Sequence, residues 1–167
     1  MKEFSLNLRR KQLQDFLAER PHIKVIGLQR DDVLDRFISW KMLQQTGVVK
    51  LDKAADGLQR KLTLDPGTLL AELRDIDAEN RELTDMLDRL SGHRVHRIAY
   101  EDLYGVPERT QAVIREVFRF LDLPDFAPVV RMRKIIKGRP VERIGNLEAC
   151  RTAVRGTEFA PLLADRG

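Results

Sequence analysis

The chain has 167 residues, enough for one domain with a modest core; 34% of them are charged and only 6% aromatic. Thirty basic against 26 acidic residues leave a formal charge of +4, too mild an excess to mark a nucleic-acid binder, and no low-complexity tract argues for disorder. A single cysteine, Cys150, excludes an internal disulfide framework, and no apolar run nears the roughly 18 residues of a membrane span, so a soluble cytoplasmic chain with no membrane partner is expected.

In chain order, Phe4, Leu6, Leu8, Leu13, Phe16 and Leu17 recur at mixed helical spacing and predict a helix over 4–20, ended by Pro21. "IKVIGL" follows as a short strand, apolar on both faces as in a buried parallel sheet. Asp31 or Asp32 is a fit N-cap for a helix carrying Val33, Leu34, Phe37, Ile38 and Met42, running to about Thr46 before Gly47. Residues 48–64 are ambiguous and read as a loop with a short helix.

The clearest helix lies in "LDPGTLLAELRDIDAENRELTDMLDRLSG", where Leu69, Leu70, Leu73, Ile76, Leu83, Met86, Leu87 and Leu90 fall at intervals of three and four. Its acids form a solvated opposite face. "RVHRIAY" alternates and predicts a second strand, and "PERTQAVIREVFRFLDL" a helix with Pro107 in its first turn. A basic segment follows, with Arg131, Arg133, Lys134, Lys137, Arg139 and Arg143 against Glu142, and then "NLEACRTAVRG", a helix capped by Asn146 and stopped by Gly156. Strand, helix, long helix, strand, helix is the order of an α/β domain with a small parallel sheet and predominant flanking helices, and no linker divides the chain, so a single domain over 1–167 is expected.

In an open parallel sheet, ligands bind beyond the carboxyl ends of the strands, and Arg30 stands at that end of the first one. A guanidinium offers a planar fork suited to phosphate. Ser39, roughly 10 Å further along the next helix, could add a hydroxyl donor to the same anion. The plain alternative is a surface ion pair with Asp31, Asp32 or Asp35.

The stretch "KVIGLQRDDVLDRFISWKMLQQTG" resembles the segment of bacterial-type sulfotransferases that holds the 3′-phosphate of 3′-phosphoadenosine 5′-phosphosulfate. "RIAYEDL", "VIREVFRFLDL" and "RKIIKGRPVERIGNLEACRTAVRGTEFAPLL" are similar to later elements of that family, in the same order, so the resemblance covers about Ile23 to Leu163. It implies a P-loop-like sulfotransferase fold and sulfuryl transfer to a hydroxyl or amine. It also implies that Arg30 and Ser39 contact the donor's 3′-phosphate, that Lys137 and Arg139 in the basic loop are further nucleotide contacts, and that Tyr100, Glu101 and Asp102 are structural.

Two departures stand against full activity. Where relatives often carry an asparagine the chain has Asp32, and no glycine-rich loop between a strand and a helix is present to hold the 5′-phosphosulfate. His22, His93 and His96 are badly placed as a general base, and no His/Cys/Asp cluster has metal-ligand spacing. The expectation is the C-terminal portion of a sulfotransferase, inactive alone, prone to self-association through an exposed sheet edge. Its acceptor is open among carbohydrate, lipid and small molecule. The alternatives are a non-catalytic nucleotide- or partner-binding module and a basic, helix-rich binder of nucleic acid or protein.

Overall fold

The computed structural model describes residues 13–46, 61–90, 94–104, 106–124 and 138–164. Their elements, in order, are α1 (Leu13–Ala18), β1 (Val25–Gln29), α2 (Val33–Thr46), α3 (Pro66–Asp88), β2 (Val95–Ala99), α4 (Tyr100–Tyr104), α5 (Pro107–Phe120), a 3₁₀ turn (Pro140–Arg143), α6 (Leu147–Ala153) and a second 3₁₀ turn (Ala160–Leu162). The chain is thus mixed α/β with a two-stranded parallel sheet. It separates into two compact units, Met1–Asp31 with Ala78–Met132 and Asp32–Asp77 with Arg133–Gly167; one of the three crossings between them falls inside α3. Among the described residues no helix is long and apolar enough to cross a membrane.

In the first unit, β1 and β2 pair in parallel with Val25 opposite Val95 and Gln29 opposite Ala99. Alternation sends Val25, Gly27 and Val95 to one face, where the last turns of α3 bring Leu83, Met86 and Leu87 against them, with Leu90 just beyond the helix and Leu17 and Ile23 joining the cluster. Gly27 fits this closeness, since a Cβ there would run into the tip of the Leu87 side chain and make it shift. On the other face the His96 ring stacks on Phe120 of α5, centroids 5.3 Å apart.

The first strand is not buried on both faces as its composition implies: Ile26 is 40% and Leu28 45% exposed. The reason is that α5 engages that face at β2, whereas β1 has its cover from α3 on the opposite side. Arg94, 3% exposed, closes the end of α1 by donating from Nη1 to the carbonyls of Leu17 and Arg20 at 2.7 and 2.6 Å. At the far end of α5, Lys24 donates to the Phe120 carbonyl at 2.6 Å, an arrangement the helix dipole favours.

The second unit is built on the expected amphipathic helices. Asp32 caps α2, its carboxylate accepting the Asp35 N–H at 2.8 Å, and Asp65 accepts the Gly67 N–H at 2.9 Å where α3 begins with Pro66. Leu34, Phe37 and Ile38 from α2 join Leu69 and Leu73 from α3 and Cys150, Val154 and Leu163 from the C-terminal segment in one buried cluster.

Residues 61–64 belong to a short ladder. Leu62 forms a parallel bridge with Ile144, donating to the Arg143 carbonyl and accepting from the Gly145 N–H, both at 2.7 Å. The side chain of Asn146 then extends the ladder, its Oδ1 accepting from the Leu64 N–H at 3.0 Å and its Nδ2 donating to the Leu64 carbonyl at 2.7 Å. The expected cap of α6 is therefore a clamp. Asn146 stands at the N-cap position, but its side chain makes no capping bond because it is committed to Leu64. The helix ends at Ala153, three residues ahead of the Gly156 expected to stop it, and Gly156 follows in the turn at φ +74°.

Candidate functional site

The site begins with the register of the sheet. Gln29 and Ala99 are the last paired residues, so the chain sets Arg30 and Tyr100 side by side one step beyond, at the carboxyl ends of both strands. The Arg30 guanidinium carbon lies over the Tyr100 ring, 4.3 Å from its centroid, within the range of a cation–π stack. Tyr100 opens α4 and packs on Tyr104, ring centroids 4.5 Å apart. Arg30 is half-buried, and its carbonyl accepts a hydrogen bond at 2.9 Å from Nδ2 of Asn80, itself only 8% exposed on α3. One turn on, Thr84 Oγ1 is 3.1 Å from both the Gln29 side-chain oxygen and the Asn80 carbonyl. The end of β1 is therefore held by its backbone from α3 and by its side chain from α4.

Carboxyl groups surround this point. The Asp31 N–H donates to Glu101 at 3.4 Å, and burial, followed by the nearby charges of Glu101 and Asp102, pushes the Asp31 carboxyl above the usual aspartate range. Asp102 is held below that range by the Arg109 guanidinium, which donates to it at 2.9 Å and is in turn raised by it. Burial, with the neighbouring Tyr100, raises the Tyr104 phenol. The cluster sets the Arg30 guanidinium on an aromatic ring among carboxyl groups that weaken its attraction for an anion.

Of the other residues predicted from sequence, Ser39 lies half-buried on α2 in the second unit, between the fully buried Ile38 and the 43% exposed Trp40. Arg139 belongs to the same unit, immediately before the 3₁₀ turn whose Val141 shares the core with Phe37 and Ile38 of α2. Its Nε donates to Glu142 at 3.3 Å and its backbone N–H to the same carboxylate at 3.1 Å, so this cation is already tied to an acid. Lys137 lies outside the described residues, as does His93. An open pocket of about 360 Å³ is lined by Lys61, Glu142, Ile144, Asn146 and Glu148 among others, a mixed-charge wall that includes none of the predicted contacts.

His22 is exposed ahead of β1 and His96 is stacked on Phe120, so neither histidine stands at the carboxyl end of the strands. Among the described residues no group of three or more His, Cys, Asp or Glu is placed to hold a metal ion. Sequence reasoning missed Tyr100 and Asn80 as partners of Arg30. The signal for Tyr100 was present: two five-residue strands in parallel register must bring together the residues that follow them. No family model, curated protein or solved structure matches the chain.

Proposed function

We propose that the chain is a sulfotransferase-like nucleotide-binding protein, taking the 3′-phosphate of 3′-phosphoadenosine 5′-phosphosulfate, or of the desulfated product, on Arg30. The observation that carries the reading is the placement of Arg30 at the carboxyl end of a parallel strand pair, its guanidinium laid on Tyr100. This is where α/β sheets bind ligands, and a guanidinium is the group best suited to a phosphate there. The choice of this nucleotide rests on the resemblance of the flanking motifs. Sulfuryl transfer by this chain alone is not part of the proposal, because the 167 residues carry no glycine-rich loop to hold the 5′-phosphosulfate.

The test is calorimetric titration with 3′-phosphoadenosine 5′-phosphate beside adenosine 5′-phosphate, on wild type and Arg30→Ala. A charge-assisted bond to one phosphate predicts a preference of roughly 10- to 100-fold for the 3′-phosphorylated nucleotide, abolished in the variant. Equal affinities for the two nucleotides in wild type overturn the reading. The second reading is structural, and the three carboxyl groups around the stack favour it: Arg30 then serves only to join the ends of β1 and α4. It predicts that Arg30→Ala lowers stability without changing nucleotide selectivity.

A further inference from the structure

We infer that Tyr100 and Asn80 are positioning residues for Arg30, fixing the direction in which its guanidinium faces. The inference rests on the nucleotide reading for what Arg30 binds, but not for how it is held. An arginine at a strand end has a long, rotamer-rich side chain, and a site that must order it on binding loses much of the affinity the phosphate supplies. Here the backbone and the head group are restrained separately.

The Asn80 amide, buried at 8% exposure, grips the Arg30 carbonyl at 2.9 Å, and Glu101 accepts the next N–H, that of Asp31, at 3.4 Å. These contacts fix the Cα–Cβ direction. At the other end, the Tyr100 ring lies against the guanidinium at 4.3 Å and is itself packed on Tyr104 at 4.5 Å. The contact holds the guanidinium carbon against the ring and, with Nε buried, limits the directions in which the terminal N–H donors can turn toward a phosphate. The tyrosine thus does more than end a strand.

The experiment uses the ¹⁵N-labelled full chain and reads the Arg30 Nε–H signal by NMR, with the same two nucleotide titrations alongside. A guanidinium stacked on a ring gives an Nε–H shifted upfield by the ring current and a heteronuclear NOE close to that of the rigid backbone. That signature is expected in wild type and in Tyr100→Phe, which keeps the aromatic face. Tyr100→Leu keeps an apolar side chain without the ring; it should lose the signature and weaken binding of 3′-phosphoadenosine 5′-phosphate roughly five- to tenfold, while adenosine 5′-phosphate is unaffected. Asn80→Ala should lower the NOE of the Arg30 backbone amide.

An Arg30 Nε–H that is mobile and unshifted in wild type, or that survives unchanged in Tyr100→Leu, overturns the inference. A rigid, shifted signal in a wild type that ignores the 3′-phosphate upholds the positioning and overturns the nucleotide reading instead.

Discussion

Asn146 supplies the sharpest quantitative test of the fold. Its amide donates to and accepts from the Leu64 backbone at 2.7 and 3.0 Å, and Leu64 is only 4% exposed. Asn146→Ala leaves both backbone groups without these partners at the edge of the core. Each orphaned group costs about 1 to 2 kcal/mol, so the loss should be about 2 to 4 kcal/mol, a large share of the stability of an ordinary domain. In urea denaturation, with an m-value of about 2 kcal/mol/M, the midpoint should fall by roughly 1 to 2 M.

Asn146→Asp separates the donor from the acceptor. The new carboxylate still accepts from the Leu64 N–H but turns a second oxygen toward the Leu64 carbonyl, so at pH 7 it should be no better than the alanine. Once protonated it becomes a donor again. Its folded pKa is therefore raised, and the stability it contributes is present below the unfolded value of about 3.9 and is lost as pH rises through the folded value. Asn146→Asp should accordingly be more stable than Asn146→Ala at pH 4 and not at pH 7. Amide exchange at Leu64 checks the site directly. A loss under about 0.5 kcal/mol for the alanine with unchanged Leu64 exchange, or no pH dependence in the difference between the two variants, would refute the clamp.

Other consequences follow from the same kind of reasoning. Gly27→Val should cost roughly 1 to 3 kcal/mol despite valine's preference for strands, because it drives into Leu87, and combining it with Leu87→Ala should cost less than the sum of the two single changes, as read from urea midpoints. Arg94→Met strips the Leu17 and Arg20 carbonyls of their buried donor and should destabilise by about 2 to 3 kcal/mol, with amide exchange at α1 rising most. For Asp31 the raised folded pKa means that the protonated form is the favoured one in the fold: ionisation weakens the fold as pH rises through that value. Asp31→Asn should thus be slightly more stable than wild type at pH 7, with the gain fading on acidification; a variant no more stable at pH 7 refutes it. Cys150 is fully buried and its thiol is pushed up by burial, so a disulfide reagent should label it only as fast as the second unit opens; rapid labelling of the native chain would contradict this packing.

What was legible in the sequence was whatever local pattern alone dictates. The three-and-four spacing of Leu69, Leu73 and Leu83 gave α3, Asp32 capped α2 as its side chain suits it to do, and Pro107 opened α5. Arg30 was placed correctly at the end of β1 because strand ends can be read from composition. The misses lie where a residue answers to a partner far away in sequence. Asn146 looks like a cap from its neighbours, but its amide is claimed by Leu64, 82 positions earlier. Gly27 looked like an ordinary strand residue until the Leu87 side chain appeared opposite it. Asn80 sat among the acids of a solvated helix face, and only the position of the Arg30 carbonyl explains why it is buried. Of the helix expected over 4–20 the structure shows α1, Leu13–Ala18; residues 4–12 lie outside the described residues, and 19–20 are not helical.

The parallel pairing of Val25 with Val95 also sets a timetable. A hairpin strand meets its partner within a few residues of synthesis; β1 must wait for 70 more, the interval from position 25 to position 95. At a translation rate of roughly 5 to 20 residues per second, that is about 4 to 14 s during which Val25, Ile26 and Leu28 have emerged without the strand they pair with. Through that interval the apolar side chains are open to contacts with other unfolded chain, an exposure that should shrink when Ile26 and Leu28, half-exposed even in the finished fold, are made polar.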